Sequence, residues 1–332
     1  MESKQKLVFL MEKKLGKTLF DDRVLTELIT LFHTEWAADL RPATLQTTLQ
    51  GADVAVTSWG TPALTDEILQ DADHLRLVVH AAGSVKPIVT EALYDRGVIV
   101  TSGAGTIARG VAETTLGLLI TSLKNVFALN THVHQGGWRE ASLIRHVKDL
   151  YGINIGIIGA GHVGRHMLRL LQQFEVNRLL YDPTLSGEEA TKLGATKVEL
   201  TELLRRSDAV LVHAPLLPET HHMLGQHNLH LLKDGAIIIN TARGALIDEE
   251  ALYDELKTGR ILACLDVTDP EPPSPDHPLR SLPNVILTPH IAGVVNNGLY
   301  RLGGYVLAEA QQFINKQEPL NPVRREQLQY LA

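Results

Sequence analysis

Three ionisable residues in the second half of the chain each follow a short, apolar, β-prone run. Arg243 stands in Asn240-Thr241-Ala242-Arg243-Gly244. Glu271 stands in Asp266-Val267-Thr268-Asp269-Pro270-Glu271-Pro272. His290 stands in Thr288-Pro289-His290-Ile291-Ala292-Gly293. Ligand sites of open α/β sheets lie beyond the carboxyl ends of the strands. A guanidinium, a carboxylate and an imidazole gathered there form a complete set for reducing a ketone that carries a carboxylate. The planar fork of Arg243 can bind the carboxylate bidentately. His290 can give a proton to the carbonyl oxygen as hydride reaches the carbon, and take it back in reverse. Glu271, bonded to the other ring nitrogen, would orient the imidazole.

The hydride source is indicated near the middle of the chain. Gly159-Ala160-Gly161-His162-Val163-Gly164 follows the β-forming run Ile153–Ile158 and opens a segment with helical spacing, Val163, Met167, Leu170, Leu171 and Phe174. Strand, G-x-G-x-x-G and helix together form the dinucleotide fingerprint. The first glycine permits the turn, the second admits the pyrophosphate and the third lets helix and strand pack. Unpaired N–H groups at the helix start face the phosphates. A second strand pattern, Arg178–Tyr181, ends at Asp182, eighteen residues past Gly164. A carboxylate there accepts from the ribose hydroxyls and repels a 2′-phosphate, so the pattern predicts NAD(H) over NADP(H).

These motifs need a scaffold. The 332 residues are 44% hydrophobic and 21% charged, an ordinary globular composition of about two domains. A net charge of −7 argues against nucleic acid or an anionic membrane as partner. The apolar run Leu7–Met11 is too short for a signal sequence, and no stretch approaches a membrane span. The single cysteine, Cys264, forms no internal disulfide, sits mid-strand as an inert core thiol, and fits a cytoplasmic location.

The first hundred residues alternate strand patterns (7–11, 54–57, 77–80, 98–101) with helical ones, at Val24–Phe32 and in a segment capped by Thr65 ahead of Ile68 and Leu69. Such alternation predicts a parallel sheet with helices on both faces. Residues 112–133 read as one long helix, apolar around most of its circumference and therefore buried on several sides. From 153 to 288 six strand patterns follow (153–158, 178–181, 209–213, 236–240, 261–266, 285–288), as in the doubly wound dinucleotide fold. An amphipathic helix from Leu299 to Ile314 has no strand left to pair and is expected to return to the N-terminal domain.

In order and spacing, the glycine loop with Asp182, the N-T-A-R-G segment, the D-V-x-x-P-E-P segment and the T-P-H-I-A-G segment resemble the D-isomer-specific 2-hydroxyacid dehydrogenases over nearly the whole chain. The resemblance implies two doubly wound α/β domains. One is a Rossmann NAD-binding domain at residues 105–294. The other is a flavodoxin-like substrate domain built from both chain ends, 1–104 and 295–332. It implies a homodimer that buries the long helix, and NAD(H)-linked interconversion of a 2-keto acid and a D-2-hydroxy acid. It assigns Arg243 to the substrate carboxylate, Glu271 to orientation and His290 to acid/base work. Asp266 would bond the nicotinamide amide, while His213, Pro215, Thr220, Thr241, Ala242 and Gly293 would wall the cofactor pocket.

The family's substrate loop falls at Gly83 and Ser84, whose backbone N–H groups would hold the substrate carboxylate. Here the chain departs from the family, with Ser84 in place of a second glycine and Lys86-Pro87 in place of an Asp-Asn-like pair. Trp59 would shape the substrate side-chain pocket, or else pack between domains. Lys86 reads as a solvated loop lysine, with an alternative role beside a polyanionic substrate. Two other functions fit the same motifs, an NAD(H)-binding corepressor-like regulator and a formate- or phosphite-type dehydrogenase. The histidines His221, His222, His227 and His230 lie on a polar loop and helix start with no carboxylate or cysteine expected to join them, so no metal site is expected.

Overall fold

The computed structural model describes residues 4–331. Its contacts divide the chain into two units, residues 1–107 with 294–332, and residues 108–293.

The first unit holds a six-stranded sheet. Its strands are β1 (Lys6–Leu10), β2 (His33–Trp36), β3 (Val54–Thr57), β4 (Leu77–His80), β5 (Ile99–Ser102) and, near the C-terminus, β13 (Pro322–Val323). They lie in the order β13-β5-β4-β3-β1-β2. All neighbours are parallel except the β13–β5 pair. Without the C-terminal strand this is the flavodoxin-like order 2-1-3-4-5. Side chains alternate between the faces. Leu7, Phe9, Val54, Val56, Leu77 and Val79 point to one core, which also takes Val24 and Leu28 of α2 (Asp22–Leu31) and Leu302 and Val306 of α12 (Tyr300–Ile314). Val8, Leu10, Ala55, Val78 and Val100 point to the other, covered by Leu45 and Leu49 of α3 (Pro42–Leu49) and Leu93 of α4 (Glu91–Asp95). Burial on both faces explains why these strands read as continuous apolar runs. Helix α1 (Lys13–Leu19) completes the unit.

Two strands here escaped sequence reading. β2 is the tetrapeptide His-Thr-Glu-Trp at the sheet edge, held by Trp36 stacked on Phe9 with ring centroids 4.0 Å apart. β13 is two residues long and begins with proline. The segment after Thr65 is a single turn closed by Leu69 N–H to the Thr65 carbonyl, not a helix.

The second unit holds seven strands, β6 (Tyr151–Ile158), β7 (Glu175–Tyr181), β8 (Thr196–Lys197), β9 (Ala209–Val212), β10 (Ile237–Asn240), β11 (Leu262–Leu265) and β12 (Val285–Leu287). Their order is β12-β11-β10-β9-β6-β7-β8, all parallel. Counted from β6, this is the dinucleotide-binding order 3-2-1-4-5-6 with a seventh strand added. Helices α8 (His162–Leu171), α9 (Gly187–Lys192), α10 (Leu200–Arg206) and α11 (Glu249–Leu256) connect the strands, with α7 (Ala141–Ile144) ahead of β6.

The expected long helix at 112–133 is two helices, α5 (Ala104–Leu123) and α6 (Val126–His134). Asn125 breaks it at φ 51°, a left-handed conformation that asparagine tolerates. The Asn125 amide donates to the Leu143 carbonyl at 3.1 Å and fixes the break. Within this chain α5 buries Ala108, Val111, Ala112, Thr115, Leu118, Leu119, Ser122 and Leu123. No residue of α6 is buried, and Val126, Phe127 and Val133 are exposed.

His80 ends β4 and is 3% exposed. Its Nδ1 lies 2.9 Å from the Thr57 hydroxyl, and its ring also bonds the backbone of Ser84. Burial lowers its pKa from 6.5 to about 4, the Ser84 bond opposing the shift. Folding therefore favours the neutral ring. That contribution is complete above pH 6.5 and is lost as pH falls towards 4, because only the unfolded chain takes up the proton in that window. At about 1.4 kcal/mol per pH unit, the loss from this residue is roughly 3 kcal/mol. His80→Asn is expected to flatten the acid limb of stability between pH 6.5 and 4, measured by urea denaturation at stepped pH. An unchanged slope would show that His80 does not set it.

Candidate active site

The glycine loop leaves β6 and enters α8. Gly159 has φ +93°, and a Cβ there would lie 2.8 Å from the backbone of His213 and Ala214. A Cβ on Gly164 would lie 2.0 Å from the Gly159 carbonyl oxygen, so this position sets the approach of α8 to the loop. Gly161, by contrast, faces open space. The turn is thus closed against protein at its first and third glycines and open at its second, as a pyrophosphate requires. His162 and Val163 begin α8 beside it. Asp182 holds the loop, with Oδ2 accepting Ala160 N–H at 2.7 Å and Oδ1 accepting the Thr184 amide and hydroxyl at 2.9 and 2.6 Å.

His213 follows β9 and is 7% exposed, with both ring nitrogens buried and no protein partner. Burial lowers its pKa to about 4, so the ring is neutral near pH 7. A neutral imidazole offers one donor and one acceptor. The Gly159 turn packs directly on the His213 backbone. Glycine geometry, helix start and unpartnered imidazole together fit a dinucleotide.

Beyond β11 and β12 the chemistry-bearing loops meet. Asp266 is 2% exposed and ties down the loop that carries His290. Its Oδ1 accepts the Thr288 hydroxyl at 2.6 Å and Ile291 N–H at 2.9 Å, and its Oδ2 accepts Ala292 N–H at 2.8 Å. The sequence reading gave Asp266 to the nicotinamide amide. These bonds show a positioning task that no sequence pattern announced. His290 itself has φ +53°, a backbone state uncommon outside glycine and enriched at functional sites. Its Nδ1 lies 2.5 Å from Glu271 Oε1, so Nε2 is the ring nitrogen that Glu271 does not hold. Glu271, His290, Asp266, Thr268 and Thr288 line one open hollow of about 420 Å³.

Arg243 is held by its neighbours. Asn240 spans the turn, its amide donating to the Arg243 carbonyl at 2.8 Å and its oxygen accepting Ala242 N–H at 3.0 Å. The Thr241 hydroxyl lies 2.9 Å from that of Thr115 on α5. The guanidinium uses one donor on the Ala242 carbonyl at 2.7 Å and does not line the hollow around His290. Thr220 closes its own turn, bonding Pro215 O at 2.6 Å and accepting Leu217 N–H at 2.8 Å. Gly293 backs onto Gly110, where a Cβ would meet the Gly293 carbonyl oxygen at 3.0 Å. Cys264 is buried, 3.0 Å from the Ser122 hydroxyl, and burial pushes its thiol up to about 12.

In the first unit, Gly83 and Ser84 follow β4. The Ser102 hydroxyl donates to the Gly83 carbonyl at 2.7 Å, and the Ser58 hydroxyl donates to Ala81 O at 2.9 Å. With the His80 bonds, these fix the path of the loop. Trp59, just beyond β3, is 44% exposed.

The expectation that no carboxylate joins His221 and His222 is corrected. Asp269, 47 residues further on, brings its carboxylate into their group. The cause is tertiary packing. A Cβ on Gly244 would lie 2.1 Å from the backbone of Thr268, and His222 N–H bonds the Ala245 carbonyl at 2.8 Å, so both segments pack on residues 244–245.

The sheet order and the glycine loop define a dinucleotide-binding protein. Residues 116–292 match the family model described as D-isomer specific 2-hydroxyacid dehydrogenase, NAD binding domain. A D-3-phosphoglycerate dehydrogenase of Methanocaldococcus jannaschii is 36% identical over 83% of this chain, which spans about half (52%) of that relative's length. A glyoxylate reductase of Korarchaeum cryptofilum is 34% identical over 82% of this chain and 83% of its own. A phosphoglycerate oxidoreductase from Rhizobium etli shares the fold, with TM-score 0.86, 23% identity and coverage of 97% and 99% of the two chains. The chain belongs to the D-isomer specific 2-hydroxyacid dehydrogenase family, and its NAD-binding domain contains the glycine loop.

Proposed function

We propose that this protein is an NAD-dependent oxidoreductase interconverting a 2-keto acid and a D-2-hydroxy acid. The observation that carries this reading is the 2.5 Å His290–Glu271 pair, set on a loop fixed by Asp266 within the domain that bears the dinucleotide loop. NADH, when bound, supplies the hydride. Glu271 holds Nδ1, so Nε2 of His290 is the atom that delivers the proton to the carbonyl oxygen and recovers it in reverse. Arg243 binds the substrate carboxylate through donors not spent on Ala242. In the unit formed by both chain ends, backbone N–H groups at Gly83 and Ser84 are assigned to the substrate carboxylate, and Trp59 to the rest of the substrate.

Asp182 supports NADH as the preferred coenzyme, since its carboxylate excludes a 2′-phosphate. The protein works in the cytoplasm, where its single buried thiol stays reduced. Among the described residues no helix is long and apolar enough to cross a membrane. The apolar residues exposed on α6, with Trp138 at 76% exposure, support a homodimer closed over that helix, and light scattering should give twice the 36.5 kDa chain mass.

The test is NADH oxidation against glyoxylate, hydroxypyruvate, pyruvate and longer or sugar-derived keto acids. At least one should turn over, with kcat/KM for NADH about tenfold or more above that for NADPH, the size of one unfavourable charge contact. Preference for NADPH would remove Asp182 from its role. Binding of NADH with no turnover across the panel would favour the regulatory reading instead.

A further inference from the structure

We propose that His221, His222 and Asp269 form a site for a divalent transition metal of the zinc class, apart from the residues assigned to hydride transfer. One ligand atom from each residue lies within 4.8 Å of the other two. Two imidazoles and a carboxylate are a borderline N,N,O donor set that suits zinc and its neighbours rather than magnesium or calcium. Zinc–ligand bonds of about 2.0–2.1 Å place tetrahedral ligand atoms ~3.3 Å apart. His221 and Asp269 are exposed at the surface, so side-chain rotation alone can draw the group to that spacing. The fourth position is left to water.

The surroundings are ordered to hold the three side chains. The His221 and His222 rings stack with centroids 3.9 Å apart, which keeps both on one side of their turn. His222 has φ +50° and is anchored by its N–H bond to the Ala245 carbonyl. Two residues on, Leu224 and Ile247 form a parallel bridge, so the histidine segment is clamped along residues 245–247. Asp269 is set from the other side, where Glu249 Oε1 accepts its N–H at 3.0 Å. Glu249 in turn sits 3.1 Å from His277 Nε2, and both side chains are largely buried. Glu249 and His277 thus hold the backbone that carries Asp269. A bound ion joins the loop at 221–222 to the loop at 269, both already packed on residues 244–247.

The test is zinc titration of the EDTA-stripped 332-residue chain by calorimetry, with thermal unfolding as a second readout. One Zn²⁺ per chain should bind at micromolar concentration or below and raise Tm. His221→Asn, His222→Asn and Asp269→Asn should each weaken binding about tenfold or more. Asparagine is chosen at 222 because it tolerates the left-handed backbone. His230→Asn, which alters an exposed histidine nearby in sequence, should bind zinc as the parent does. Tm in EDTA checks the fold of each variant, and three separate ligand variants keep the test open should one fail. Absence of stoichiometric binding, ligand variants that bind like the parent, or equal weakening by His230→Asn would each overturn the site. The readout needs no turnover, so this proposal and the dehydrogenase reading stand or fall separately.

Discussion

His290→Ala is expected to lower kcat by about 10²- to 10⁴-fold, the usual worth of a positioned general acid. At 1.36 kcal/mol per decade this is roughly 3 to 5 kcal/mol of transition-state stabilisation. The reason lies in how the side chain is held. Asp266 spends three hydrogen bonds on the loop, the backbone at 290 takes a strained left-handed turn, and Glu271 grips Nδ1 at 2.5 Å. All of that fixes Nε2, and alanine removes only the ring. NADH binding should change little, because His290 is tied to Glu271 and Asp266, whereas the glycine loop is held by Asp182. Stopped-flow reduction with saturating NADH separates the two effects. Near-parental kcat in the variant would take His290 out of the proton transfer.

Arg243→Ala is expected to lower kcat/KM for the keto acid by about 10²- to 10³-fold. Truncating one partner of a desolvated, hydrogen-bonded charge pair costs about 2–5 kcal/mol, because the other charge is left unpaired. The effect should fall on KM as well as kcat, since the carboxylate is bound in ground and transition states alike. Arg243→Lys should recover only part of it, because an ammonium restores the charge without the two-pronged geometry. The lysine variant also separates this role from structure. The main fold contact of the guanidinium is one bond to the Ala242 carbonyl, and the turn is carried by Asn240. A KM within a factor of about two of the parent in Arg243→Ala would contradict the carboxylate assignment.

Much of the frame was legible because parallel strands buried on both faces write themselves as apolar runs. Val54–Thr57, Leu77–His80 and Ile237–Asn240 are such strands, each fully buried. The dinucleotide order followed from six of them in sequence. What stayed hidden depended on partners distant in the chain. β2 carries a charged and polar pattern and is a strand through its pairing with β1, where Trp36 stacks on Phe9. The break between α5 and α6 turns on one asparagine bonded to Leu143, and apolar periodicity runs straight through it. Around the site, the residue types of Arg243, Glu271 and His290 suggested the chemistry. The work of Asp266 and Asn240 in holding those loops showed only in three dimensions. Asp269 is the sharpest case, since only the packing of residue 268 on Gly244 brings it to the two histidines.

The most direct measurement of the central claim follows the hydride itself. The protein is supplied with NADH deuterated at C4 on the transferred face and with the best keto acid of the panel, and the product is analysed for label and configuration. The account predicts a D-2-hydroxy acid with deuterium at C2 and with solvent hydrogen on its hydroxyl. An L-product, a product without deuterium at C2, or NADH that binds and is never oxidised would contradict it.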